Sequence, residues 1–173
     1  VDDNTEINEC AGCPVLHDVT GLSPMIVSIG VNRVRKVIVG KLVTNNKDIE
    51  FVTIIHPSAI MSPSAKIGEG SVVMAGAVIN ADAVIGKHCI VNTGATIDHE
   101  CVIEDFCHIA PGVHISGNTL VGEGTWIGIG SCVIQGITIG RNSVIGAGRV
   151  VVKDIPDGVV AYGNPCKVMR ENK

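Results

Sequence analysis

The chain has 173 residues, a formal net charge of −4 and 46% hydrophobic residues, yet only 2% aromatics. That length suits one sizeable domain or one domain plus a small subdomain, and the acidic balance excludes a basic field for nucleic acid or an anionic membrane. No apolar run approaches the roughly 20 residues that cross a bilayer, and the acidic opening Val1-Asp2-Asp3-Asn4 lacks the features of a signal peptide.

In chain order, Cys10 and Cys13 form a CxxC with no second pair and no nearby His to complete a metal site. Seven cysteines, most of them inside a repeat, point to reduced thiols in a cytoplasmic protein rather than to a disulfide framework. Met25 to Ile29 reads as a buried strand and Gly30 as a turn. Asn32 to about Val43 reads as a helix, with Val34, Val37, Ile38 and Leu42 at helical spacing, and Glu50 to Ile55 is extended again. Residues 1–50 are therefore a βαβ fragment.

From Ile55 a strict period of six takes over. Stepping by six from Ile55 to Val151 gives 17 positions, every one Ile, Val or Met. Four residues after each of these, 13 of 16 positions are Ala, Ser, Cys or Thr. A helix would repeat near 3.6, so the spacing excludes it. A short strand plus a corner fits instead, with the aliphatic and the small residue turned inward. One residue after the aliphatic column, 9 of 17 positions are Gly, Asn or Asp, which predicts that this row holds the left-handed corner. The repeat predicts a β-helix over 51–152. The tail 153–173 breaks the hexad and should cap its end.

This pattern resembles the hexapeptide acyltransferases, in which three hexads make one coil of a left-handed parallel β-helix. The resemblance implies that residues 18 apart stack at about 4.8 Å. Cys89, Cys101 and Cys107 then become inward small residues.

His99, followed directly by Glu100, falls two residues after the inward Ile97, at a corner where neighbouring side chains can meet. An imidazole oriented by a carboxylate is the pattern of a general base; the bland alternative is a solvated corner His. One coil further on lies Gly117, whose N–H is unshielded and suits a developing oxyanion, or which is a plain corner glycine. Asn92 sits in the row assigned to the left-handed corner, so conformation explains it first and a substrate contact second. His108 occupies an outward row and reads as an interface residue as readily as a cleft residue; Trp126, the only tryptophan, lies in the same row and reads as an interface residue rather than a stacking platform. His56, His88 and His114 carry no distinguishing feature.

Asp98-His99-Glu100-Cys101-Val102-Ile103, His108-Ile-Ala-Pro-Gly112 and Ser116-Gly117-Asn118 are similar to the sialic acid O-acetyltransferase and UDP-4-amino-sugar N-acetyltransferase family. Ile145-Gly-Ala-Gly148 and Gly163-Asn-Pro-Cys-Lys167 resemble its C-terminal end, with Cys166 in place of the usual Ala. The resemblance implies direct acetyl transfer from acetyl-CoA to a nucleotide-linked, UDP-type 4-amino-4,6-dideoxy sugar, with no metal and no acyl-enzyme. It implies His99 as base, Glu100 as its orienting partner, Asn92 and His108 at the sugar, the Gly117 amide at the oxyanion, and the backbone near Ile129 and Ala147 along the pantetheine arm. Asp2, Asp3, Gly30, Asn32 and Arg33 would meet the nucleotide, and the assembly would be a cytoplasmic homotrimer. Family members carry a strand and a Gly-rich turn before the Asp-Asp pair. The fragment at 1–50 is therefore expected to lack its first strand and turn and to bind nucleotide weakly. Three alternatives remain: sialic acid O-acetylation, a zinc hydratase built on converging His, and a non-catalytic β-helix.

Overall fold

In the computed structural model, which describes residues 1–2 and 4–173, the hexad repeat becomes a left-handed parallel β-helix of about six turns. Seventeen two-residue strands, from Ile54–Ile55 to Val150–Val151, form three parallel sheets. Each strand before the last coil pairs with the one 18 residues later, as Thr96–Ile97 does with His114–Ile115. The second residue of each strand points inward, so Ile79, Ile97, Ile103, Ile109, Ile127 and Ile139 make a column with no solvent exposure. Burying each such side chain contributes about 1.5–3 kcal/mol, which is why the column holds only aliphatic residues. The small row fills the corners. Its hydroxyls satisfy the backbone they would otherwise mask: Ser71 Oγ donates to the Gly86 carbonyl at 2.8 Å and accepts the Cys89 N–H at 2.9 Å.

The corner rows differ from the sequence expectation. Left-handed backbone falls three residues after the column, at Asp82, Glu100, Asn118, Asn142, Gly130 and their equivalents, and not one residue after it. The glycines one residue after the column answer a different need. A Cβ at Gly128 would stand 2.7 Å from the Ala147 nitrogen and 2.8 Å from the Ile145 carbonyl oxygen, so the next coil lies where a side chain would be. At Gly130, with φ +66°, a Cβ meets nothing within 4 Å, and there the backbone angle is the constraint.

At the C-terminal end, Val159–Tyr162 adds in parallel beside Val144–Ile145, and Lys167–Glu171 returns antiparallel. This hairpin occupies the edge that the last coil would leave open.

The early residues depart from a full βαβ unit. Met25 to Ile29 contributes one parallel bridge, Met25 to Phe51, rather than a strand. A short hairpin pairs Glu9–Cys10 with Cys13–Pro14. Helix α1 spans Asn32–Asn45, two residues beyond the expected end. Its buried positions are Asn32, Arg35, Val39 and Leu42, whereas Val34 and Val37 are exposed. The helix therefore docks through two polar side chains. Arg35, 1% exposed, donates to the carbonyls of His88 (2.8 Å), Ile29 (2.7 Å) and Phe106 (2.9 Å) and to Asn32 Oδ1 (2.8 Å). Asn32 Nδ2 donates to the carbonyls of Gly124 and Thr125 at 3.0 and 3.1 Å. Full pairing is what makes this buried cation tolerable.

Candidate active site

The candidate residues gather at two corners of the prism. At the corner after Thr96–Ile97, Asp98 Oδ1 accepts the His99 N–H at 2.8 Å and the Asn80 amide at 2.9 Å. Those two donors hold its carboxyl below the usual range, the Asn80 bond contributing most. The turn then places Glu100 in the left-handed region at φ +59°, a conformation that costs a non-glycine residue roughly 1–2 kcal/mol. Glu100 Oε2 lies 3.1 Å from His99 Nδ1, and both side chains are exposed. A carboxylate accepts only, so Nδ1 carries a proton, and in the neutral ring Nε2 holds the lone pair. One coil along, Gly117 lies under the ring. A Cβ there would stand 2.5 Å from His99 Cε1 and 2.6 Å from Nε2, so the glycine makes room for the imidazole.

At the corner after Ile90–Val91, Asn92 meets His108. The hydrogen-bond order is set from both ends by backbone. Asn92 Oδ1 accepts the Thr93 N–H at 2.8 Å, so its Nδ2 faces His108 Nε2 at 3.1 Å. Nε2 must then accept, Nδ1 must carry the proton, and that N–H points at the Gly30 carbonyl, 3.2 Å away. His108 is thus neutral. Its pKa lies below 6.5, chiefly because burial disfavours the charged form, with the nearby Arg35 adding to the shift and the Gly30 bond opposing it. This arrangement leaves His108 without a lone pair for base chemistry. The conformational explanation for Asn92 falls away, since its row is not the left-handed one.

Two cavities flank this corner. One of about 390 Å³ is lined by Asn92, His108, Pro111, Ile129, Gly146 and Ala147, among others, and contains no charged side chain. Ile129 and Ala147 are stacked one coil apart. Their N–H groups, like that of Gly117, have no hydrogen-bond partner among the described residues. The other cavity, about 540 Å³, lies between the start of α1 and the prism and includes Asn32, Arg33, Lys36 and Lys173. Asn32 faces it with its amide already committed to backbone, whereas Gly30 contributes its carbonyl to His108 and Arg35. Asp2 lines neither cavity; its carboxylate caps the Asn4 N–H at 2.8 Å. Asp3 lies outside the described residues.

Within one chain, His99, Glu100 and Gly117 are together, and Asn92, His108, Ile129 and Ala147 are together, but the two groups sit at opposite edges of one sheet. Trp126 was missed as a site residue by sequence reasoning. It stacks on His108 with ring centroids 5.2 Å apart and 7° between planes, and it lines both cavities. Its being the only Trp was the available signal.

The chain as a whole is similar to several known proteins. Residues 119–153 match the family model described as hexapeptide repeat of succinyl-transferase. A Bacillus subtilis (strain 168) UDP-N-acetylbacillosamine N-acetyltransferase is 50% identical over 50 residues, which is 29% of this chain and 22% of that protein. The match thus spans about a fifth of that relative's length. The structure of a histidine-to-asparagine mutant of Caulobacter crescentus perosamine N-acetyltransferase, in complex with CoA and GDP-perosamine, superposes with a TM-score of 0.87. It is 43% identical and covers 92% of this chain and 79% of that one. The acetyltransferase domain of PglB from Neisseria gonorrhoeae FA1090, in complex with acetyl coenzyme A, gives 0.91 at 44% identity, covering 98% and 84%. At that identity over nearly the whole of its length, the chain belongs to the hexapeptide-repeat sugar N-acetyltransferases.

Proposed function

We propose that the chain transfers the acetyl group of acetyl-CoA to the amine of a nucleotide-linked 4-amino-4,6-dideoxy sugar. The observation that carries this reading is the His99–Glu100 pair over Gly117, in a fold whose relatives hold CoA and GDP-perosamine. The apolar 390 Å³ cavity, with its side-chain-free positions at Gly128 and Gly146, suits a pantetheine arm, whose amides would meet the free N–H groups near Ile129 and Ala147. The cationic cavity beside α1 suits a nucleoside diphosphate. UDP and GDP are both compatible with that lining.

In the reaction, His99 Nε2 removes a proton from the sugar amine as its nitrogen bonds to the acetyl carbon. Glu100 stabilises the resulting imidazolium through Nδ1–H. The free Gly117 N–H donates to the carbonyl oxygen as it becomes negative. The C–S bond then breaks, and the thiolate takes up the proton. No acyl-enzyme is needed: the serine that meets a histidine, Ser58 at 2.8 Å from His56 Nδ1, belongs to neither residue group of the site.

Because the two residue groups lie at opposite edges of one sheet, we assign the complete site to the junction of neighbouring copies in a cyclic homotrimer. Light scattering should give three times the 18.0 kDa chain mass; a monomer of full activity would sink that assembly. The proposed setting is the cytoplasm. No helix among the described residues is long and apolar enough to cross a membrane.

The test is thiol release from acetyl-CoA with UDP- and GDP-linked 4-amino sugars, and with sialic acid, followed by mass spectrometry of the product. A gain of one acetyl group on the amine supports the reading. Acetylation of sialic acid alone would replace it with the O-acetyltransferase.

A further inference from the structure

Building on the proposed function, we infer that Trp126 is a substrate-positioning residue common to both reactants: the sugar ring rests against its exposed edge, and the indole sets where the amine stops. Trp126 and Val144, one coil apart in the same outward row, are the two residues that line both cavities. The cationic side chains Arg33, Lys36 and Lys173 line only the cavity beside α1. An anionic diphosphate is therefore drawn to that side, while the thioester belongs to the uncharged side. The sugar lies between the two and must cross the wall that separates them.

That wall is rigid on one side. The indole stacks on His108, which is itself only 8% exposed and is tied to the Gly30 carbonyl and to Asn92. The ring cannot tip towards His108 without breaking that chain of bonds. Yet Trp126 is 37% exposed, and its indole N–H has no partner among the described residues. The exposed edge offers apolar C–H area for the C–H side of a deoxy sugar, and the N–H can donate to a hydroxyl or phosphate oxygen. The burial of His108 therefore serves to fix the Trp126 wall as well as to orient Asn92.

Trp126 is the only tryptophan in the chain, so its emission reports on this position alone. UDP, GDP and CoA are titrated separately into the native protein. At least one nucleoside diphosphate and CoA should each change the emission saturably, since each fills a cavity that the indole lines. In kinetics, Trp126→Ala should lower kcat/KM for the amino sugar about 10- to 100-fold. The KM for acetyl-CoA should rise by a smaller factor, because the indole is also part of the wall of that cavity, and the melting temperature should stay close to native. Trp126→Phe, which retains ring area, should recover most of the loss. Emission that responds to only one ligand class, or a Trp126→Ala variant within threefold of native for the sugar, would overturn the inference. Absence of turnover on every amino sugar would sink the proposed function instead, and the emission response would still decide the placement of Trp126.

Discussion

Replacing Gly117 by alanine isolates the geometry of the base. The added Cβ would stand 2.5 Å from His99 Cε1, 2.6 Å from Nε2 and 3.0 Å from Nδ1, where ordinary contact begins at 3.4 Å. The ring must therefore retreat by about 0.9 Å, the difference between 3.4 and 2.5. Gly117 has no left-handed φ, so alanine brings no backbone strain, and the His99 side chain is exposed enough to move into solvent. Stability should thus change by less than about 1 kcal/mol. A misplacement of about 1 Å typically costs about 10²-fold in rate, or roughly 2.7 kcal/mol of barrier. The assay compares kcat at saturating substrates, together with melting temperature, for native, Gly117→Ala, His99→Ala and the double variant. In the His99→Ala background the steric partner is gone, so Gly117→Ala should have little further effect. A Gly117→Ala enzyme with native kcat and chemistry rate-limiting would refute the argument that the glycine exists to seat the ring.

His99→Ala itself should lower kcat about 10²–10⁴-fold without unfolding the protein, because the side chain lies outside the aliphatic column; retention of more than a third of native kcat would remove it as the base. Glu100→Gln should cost less, since it weakens the orientation of the base without removing it. Gly128→Ala should destabilise strongly, because its Cβ would meet backbone atoms of the next coil at 2.7–2.8 Å, and denaturant unfolding would show this as a lower midpoint. For pH, the folded state lowers the pKa of both His88 and His108 from 6.5, mainly by burial. The unfolded chain then binds the protons more readily, so stability is complete above about 6.5 and declines as the pH falls below it. A flat unfolding free energy between pH 7.5 and 5.5 would contradict this, and His108→Phe should remove part of the slope.

Much of the fold was legible in the sequence because each hexad is a local unit. The inward Ile or Val and the small residue after it are dictated by the strand they occupy, whatever the neighbouring coil. The same locality put His99, Glu100 and Gly117 together, since a constant coil of 18 residues turns sequence spacing into stacking. The assignment of the two glycine-bearing rows needed the tertiary structure. Glycine is demanded in one row by φ and in the other by the approach of the next coil, and the two look alike in composition. A stronger signal was nonetheless present three residues after the column, where 12 of the 17 positions from Ser58 to Asp154 are Gly, Asn or Asp. The burial of Arg35 and Asn32 was not legible in the helical pattern. They are buried because carbonyls of distant coils, at His88, Phe106, Gly124 and Thr125, satisfy their donors, and no local pattern encodes those partners. Trp126 became a site residue only when α1 docked on one side of it and formed a cavity there, opposite the one that the prism itself forms. The separation of His99 from Asn92 across one sheet is likewise a property of the prism, because corners seven residues apart in the chain face different directions.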